Sequence, residues 1–167
     1  AAGAIHSARL HRETTRHLNR LQALHVVDQA IAGSLDKRVT LNILLDQIIS
    51  QLGVDAADVL LLQAPLQTLQ FGAGHGFHTG LNKSANVRVG EGFAGRAVLE
   101  RCIVRVEDGE TARENPSFFK FWSDEGFSRY YAVPLIAKGQ VKGALEVFKR
   151  TPFTPDNDWL NFLETLA

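Results

Sequence analysis

The stretch "RYYAVPLIAKGQVKGALEVFK", residues 129–149, limits the fold of this chain more than any other. Two runs rich in β-branched and aromatic residues flank Lys138-Gly139, a two-residue connection with glycine where a tight hairpin turn needs positive φ. Strands joined so briefly pair antiparallel. A second pair of strand-like runs, "ADVLLLQ" (57–63) and "QTLQFGAG" (67–74), surrounds a turn carrying Pro65 and asks for the same arrangement. Helical patterns are grouped before and after these strands instead of alternating with them. The predicted fold class is therefore α+β, a central antiparallel sheet of about five or six strands flanked by helices, and not the parallel sheet that alternating units build.

That conclusion decides how a nearby glycine pattern is read. Residues 87–102, "VRVGEGFAGRAVLERC", contain Gly90-x-Gly92-x-x-Gly95, and Asp108 follows thirteen residues past the last glycine. In a doubly wound parallel sheet this would be a dinucleotide-binding turn with its ribose-binding acid. The strand ahead of it, Val87-Arg88-Val89, is too short and too alternating to be a buried central strand. We read Gly90 and Gly92 as turn residues that launch a short helix, Phe93–Arg101, and Gly95 as a point of close packing.

The first 33 residues lack proline, carry many good helix formers and end at Gly33, which predicts one long N-terminal helix. At 3.5-residue spacing Leu10, Thr14, His17, Leu21, Leu24, Asp28, Ile31 and Leu35 form a seam in which five of eight positions are apolar. Leu10, Leu21, Leu24 and Ile31 are the candidate dimer contacts of an imperfect coiled coil; the alternative is a helix that packs one stripe on its own domain. A second amphipathic helix is predicted over about residues 37–52, with Asp36 as cap and Leu41, Leu44, Leu45, Ile48 and Leu52 at helical spacing. A last helix is predicted with Thr154 as cap, Pro155 at its first position and Trp159, Phe162, Leu163 and Leu166 on one face.

Composition narrows the functional classes. A chain of 167 residues, 45% hydrophobic, suits one domain with its own core. Eighteen basic side chains balance eighteen acidic ones, so no net field draws the protein to nucleic acid or to an anionic membrane surface. No apolar run approaches the roughly 20 residues that span a bilayer. The single cysteine, Cys102, excludes an internal disulfide framework and leads us to expect a cytoplasmic protein. The chain contains no methionine and does not begin with one, so a fragment of a longer protein is expected.

Residues 118–131 hold seven of the fourteen aromatics: Phe118, Phe119, Phe121, Trp122, Phe127, Tyr130 and Tyr131. Such density in a glycine- and proline-punctuated connection is read either as a lid whose rings fill the core or as the wall of a cavity over the sheet, and the two are compatible. His75 and His78 lack a third ligand nearby, so no metal is expected there and both are read as solvent-exposed. The carboxylate neighbours Glu107-Asp108 and Asp124-Glu125 are adjacent in sequence without visible convergence, no nucleophile with an evident base stands out, and the chain is not read as an enzyme.

Three blocks, "VRVGEGFAGRAVLERCIVRVED", "GFSRYYAVPLIAKGQVKGALEVFKR" and "PFTPDNDWLNFLETLA", resemble in order the successive blocks of a GAF domain, the small sensory module of bacterial signalling proteins and of cyclic-nucleotide phosphodiesterases. The resemblance covers about residues 20–167 and implies a GAF/PAS-like fold over 21–167, with residues 1–20 a linker helix closing a preceding sensory domain in a tandem array. Of the residue pattern of the cyclic-nucleotide-binding branch, Lys149 and Phe153 match, while Phe148, Asn157 and Asp158 differ. Ligands in the family lie between the sheet and the 108–131 segment. The resemblance therefore implies a small-molecule site on Phe118, Phe119, Trp122, Phe127 and Tyr131, oriented by Ser123, Ser128 and Arg129. Some relatives anchor a bilin through cysteine and others reduce methionine sulfoxide with more than one; Cys102 is instead read as a buried structural cysteine, and no cofactor is expected.

Two functions follow from this reading. The first is a regulatory sensor that transmits ligand state through its terminal helices to an output module outside the chain, commonly a histidine kinase, a cyclic-dinucleotide synthase or an HD-GYP phosphodiesterase in related proteins. The second is a ligand-free dimerisation and relay module, a homodimer through the N-terminal helix. If the seam pairs two chains, Leu21→Glu or Leu24→Glu is expected to turn a dimer into a monomer in native mass spectrometry. A dimer that survives both changes rules the seam out.

Overall fold

The computed structural model describes residues 37–166. The predicted helix over 1–33, its seam at Leu10, Leu21, Leu24 and Ile31, and the boundary at residue 20 lie outside the described residues. The elements run α1 (Lys37–Leu52), β1 (Ala56–Gln63), β2 (Thr68–His75), a 3-10 turn (Leu81–Ser84), β3 (Asn86–Arg88), α2 (Gly92–Glu100) and β4 (Val104–Val106). They continue with α3 (Gly109–Arg113), α4 (Pro116–Glu125), β5 (Arg129–Ala137), β6 (Gln140–Lys149) and α5 (Asn157–Leu166).

The six strands form one sheet in the order β3-β2-β1-β6-β5-β4, every neighbour antiparallel. The Lys138-Gly139 turn has φ of 52° and 75° at its two residues, the left-handed pair that a two-residue hairpin needs to match the twist of its strands. β1 and β6 pair at the centre, with Ala57 opposite Val147, Asp58 opposite Glu146 and Leu60 opposite Ala144. Pro134, which has no ladder donor, lies beyond the last β4 pair at Ala132, where β5 has become an edge.

Both faces of the sheet are covered, which is why β1 and β6 read as nearly continuous apolar runs. On one face Leu41, Leu44, Leu45, Ile48 and Leu52 of α1 and Trp159, Phe162 and Leu163 of α5 pack on Val59, Tyr131, Val133, Leu145 and Val147. Each fully buried leucine there is worth about 1.5–3 kcal/mol relative to exposure. The Trp159 indole N–H donates to the Leu52 carbonyl at 2.9 Å and ties α5 to the end of α1. On the other face Phe93, Ala94, Ala97 and Val98 of α2, together with Trp122 and Phe127, pack on Leu60, Tyr130, Ala144 and Phe148.

Three local expectations are corrected. α5 starts at Asn157, because the Asp156 carboxylate accepts from the Trp159 amide at 2.7 Å; the cap is Asp156, not Thr154. Cys102 is exposed instead of buried. α2 ends in Arg101 with φ 54°, which turns the chain out of the helix and leaves Cys102 in the bend before β4 begins at Val104. His75, expected in solvent, bridges to α1 through Asn42 Oδ1 at 2.8 Å and Asp46 Oδ1 at 2.7 Å.

The glycine pattern has the role read from its strand context. β3 is a three-residue edge strand, and Asp108 caps α3 by accepting from the Thr111 amide at 2.7 Å, which holds its carboxyl below the usual range. A Cβ at Gly95 would stand 2.3 Å from the Arg88 carbonyl oxygen, so only glycine lets α2 lie this close to β3. Gly95→Ala is expected to lower stability by about 1–3 kcal/mol in urea unfolding, because backbone must move to admit one methyl group.

Candidate functional site

The segment 108–128 folds into two short helices laid over the sheet. α4 starts at Pro116, whose fixed φ suits a first helical position, with the Asn115 side chain accepting from the Phe118 amide at 3.2 Å. It ends at Gly126 in the left-handed conformation. Its inner face presents Phe118, Phe121 and Trp122 to the sheet. The Phe118 ring lies 4.8 Å from Phe93 and 4.9 Å from Tyr130, both edge-on, and Phe127 stacks on Phe148 at 4.5 Å. These offsets are the ones aromatic quadrupoles favour.

The last residue of α4 fastens this cover. Glu125 is 3% exposed, and its carboxylate accepts from the amides of His78 (3.0 Å) and Thr79 (2.7 Å), the Thr79 hydroxyl (2.7 Å) and the Arg150 guanidinium (2.8 Å). Burial by itself would raise its pKa; these donors outweigh burial and bring it down to about 2. Arg150 also donates to the carbonyls of Glu125 and Gly76 at 2.9 and 3.0 Å and lies 5.0 Å over the Phe127 ring. One carboxylate thus joins α4, the chain after β2 and the end of β6.

Beneath the cover lies a cavity of about 380 Å³. Leu60, Ala85, Val87, Phe93, Phe118, Phe121 and Phe148 give it apolar walls, and Lys120, whose side chain is exposed, stands at its rim. Its floor is polar. Asp58 and Glu146, cross-strand partners 1% and 8% exposed, face it together with Tyr130 and Asn82. The Tyr130 hydroxyl donates to Glu146 Oε2, and the Asn82 amide reaches Asp58 Oδ2 only at 3.5 Å. Asp58 Oδ1 and Asn82 Oδ1 are buried with no hydrogen-bond partner. Burial, then the charge of Glu146, pushes the Asp58 carboxyl well above the usual range; burial raises Glu146 against the Tyr130 hydrogen bond, and burial and the Glu146 charge raise Tyr130.

Of the expected site residues, Phe118 lines this cavity. Trp122 and Phe127 are buried in the packing around it. Phe119 lies under the Arg113 guanidinium at 4.9 Å, and Ser123 is exposed. The Ser128 hydroxyl and Arg129 are spent on backbone carbonyls, those of Lys149 at 3.3 Å and of Glu107 and Ser128 at 2.8 Å. Tyr131 points to the opposite face, 4.8 Å from the Trp159 ring, with its hydroxyl on Glu107 at 3.2 Å; burial, then Glu107, raises it to about 12. Lys149 and Phe153 form a cation–π contact at 5.3 Å on that same far side, where Lys149 also donates to the Gly53 carbonyl. Asp58, Asn82 and Glu146 went unnoticed in the sequence, although a lone acid inside "AADVLLLQ" and another inside "GALEVFK" are the signal that marks the first and the last of them. Among the described residues no group of three or more His, Cys, Asp or Glu side chains could hold a metal, and no helix is long and apolar enough to cross a membrane.

A sheet of this order, with a covered cavity on one face and the entering and leaving helices on the other, defines a GAF-like fold. The GAF domain family model matches residues 34–167, and the chain belongs to that family. It is similar to the GAF domain of the Acinetobacter phosphoenolpyruvate-protein phosphotransferase, at 22% identity and TM-score 0.65 over 88% of this chain and 87% of that one. It is likewise similar to the nlh2 GAF domain of A. aeolicus in an inactive state (21%, 0.62, 90% of each chain). A third similar structure is the reduced form of fRMsr of Staphylococcus aureus (18%, 0.66, 90% and 89%). No curated protein matches the chain.

Glu125 yields a pH-dependent prediction. Its folded pKa is depressed, from 4.5 to about 2, so its contribution is present above pH 4.5 and is lost as pH falls toward 2. Glu125→Gln is expected to lower stability at neutral pH by about 2–3 kcal/mol and to unfold with a flatter pH dependence across that window. Urea titrations at several pH values measure both.

Proposed function

We propose that this GAF domain is a regulatory module that senses a small molecule in the cavity between the sheet and α2 and α4, and passes the bound state to α1 and α5. The observation that carries the reading is the cavity itself: about 380 Å³, inside the range of small-molecule sites, apolar on its walls and polar on its floor. Two buried acceptor atoms there have no partner, as in a site whose hydrogen bonds are completed by something bound. The similar structures, a phosphotransferase GAF domain and one in an inactive state, support a regulatory role by analogy.

The route from cavity to helices is the pleat of β5 and β6. Tyr130 and Phe148 face the cavity, while their neighbours Tyr131 and Val147 face α1 and α5. A ligand that presses on the first set shifts the second, and the Trp159–Leu52 hydrogen bond makes the two helices respond together. In this reading the domain works in the cytoplasm as a homodimer through its N-terminal helix, has no catalytic role of its own, and acts on a kinase, cyclase or phosphodiesterase module of a longer protein. Regulation requires the ligand to favour one helix arrangement, since equal affinity for both shifts nothing.

Native mass spectrometry of the purified protein is expected to show a bound mass that denaturation removes. Added at 100 times its dissociation constant, that molecule stabilises the domain by about 2.7 kcal/mol. Spin labels on α1 and α5 are expected to report a changed separation on binding; an identical separation with and without bound molecule overturns the mechanism.

A further inference from the structure

We infer that the cavity selects an organic cation, a molecule with an amine, amidine or guanidinium head that lies on Asp58 and Glu146 and an apolar or aromatic body that fills the space under Phe118 and Phe121. The inference rests on the sensor reading above and narrows it to a ligand class.

The argument starts from what a strand interior normally tolerates. Two carboxyl groups directly opposite each other on the central strand pair repel when charged and cost several kcal/mol each to bury. Nothing in the surrounding packing neutralises them: the cavity lining contains one cation, Lys120, whose exposed side chain stands at the rim and not on the floor. The Tyr130 hydroxyl serves Glu146 Oε2 and the protonated Asp58 carboxyl also hydrogen-bonds Glu146, while the Asn82 amide makes only a 3.5 Å contact with Asp58 Oδ2. Asp58 Oδ1, buried and unpartnered, looks for a donor. Glu125 shows the contrast within the same molecule, since its carboxylate is met by an arginine and three further donors. Once its protons are released, the pair presents acceptors alone and complements a head group that carries several N–H donors and a positive charge. Phe93, Phe118 and Phe148, with their electron-rich faces, accept both an aromatic body and a neighbouring cation.

The titratable groups that line the cavity are Asp58 on β1, Glu146 on β6, Tyr130 on β5 and Lys120 on α4. Burial favours protonated acids while the cavity is empty, so a bound cation drives protons from the pair into solvent and its affinity rises with pH.

The test is calorimetric titration of the folded domain with benzamidine, a rigid aryl cation, beside its neutral and acidic isosteres benzamide and benzoate. Benzamidine is expected to bind, with proton release seen as a dependence of the apparent enthalpy on buffer, and to bind roughly 30-fold or more weakly to Asp58→Asn and to Glu146→Gln. Both variants are expected to melt no lower than the parent, because each removes a buried acid, so loss of binding is not loss of fold. Phe118→Ala is expected to weaken benzamidine without changing the preference for the cation, and it keeps the test open if a floor variant fails to fold. Benzamide or benzoate binding as well as benzamidine, or unchanged affinity in Asp58→Asn and Glu146→Gln, overturns the inference and leaves the sensor reading standing. Silence of all three probes at millimolar concentration overturns the cation inference, and the native mass measurement decides the sensor reading separately.

Discussion

The cover over the cavity depends on one buried carboxylate. Glu125 gathers two backbone amides, a hydroxyl and a guanidinium from parts of the chain that no ladder joins, and so converts a charge that would be costly to bury into the fastening of three walls. Without it, α4 would rest on the sheet through aromatic contacts, strong in sum but weak in direction, and the single Arg150 hydrogen bond to the Glu125 carbonyl. A carboxylate held by four donors fixes angle as well as distance. The cavity keeps its depth because the cover cannot settle onto the sheet.

The molecule treats its buried acids in two opposite ways. Glu125 is supplied with four donors and is held ionised far below the ordinary range, while Asp58 and Glu146, buried side by side in the sheet with few donors, are pushed upward. At Glu125 the donors outweigh burial, whereas at Asp58 burial and the neighbouring Glu146 outweigh the Asn82 contact. The first acid serves the fold. The second pair strains it, and a strained polar pair at the floor of an open space is the arrangement that a functional site leaves behind.

Much of the architecture was legible because it is written locally. Lys138-Gly139 fixes a hairpin, the leucines of 37–52 fix a helix, and the short strand before Gly90 excludes a nucleotide-binding turn. The site was not, because it is written in register. Asp58 and Glu146 lie in different halves of the chain and meet only through the pairing of β1 with β6, which periodicity does not reveal when both faces of a strand are covered. Parity also separates Tyr130 from Tyr131: adjacent in sequence, they face opposite cores, and an aromatic segment taken whole cannot tell one from the other. The buried position expected for Cys102 failed on a single left-handed residue, Arg101, which apolar patterning does not record.

The sheet also says how copies of this domain can meet. Its outermost strands, β3 and β4, have three residues each, a short rim of free amides and carbonyls. Past its last β4 pair at Ala132, β5 continues to Ala137 as a free edge, blunted by Pro134, which has no amide to donate. α1 and α5 pack on the same strands whose other face walls the cavity, so in the proposed sensor a contact between copies through these helices would also be a contact with the cavity.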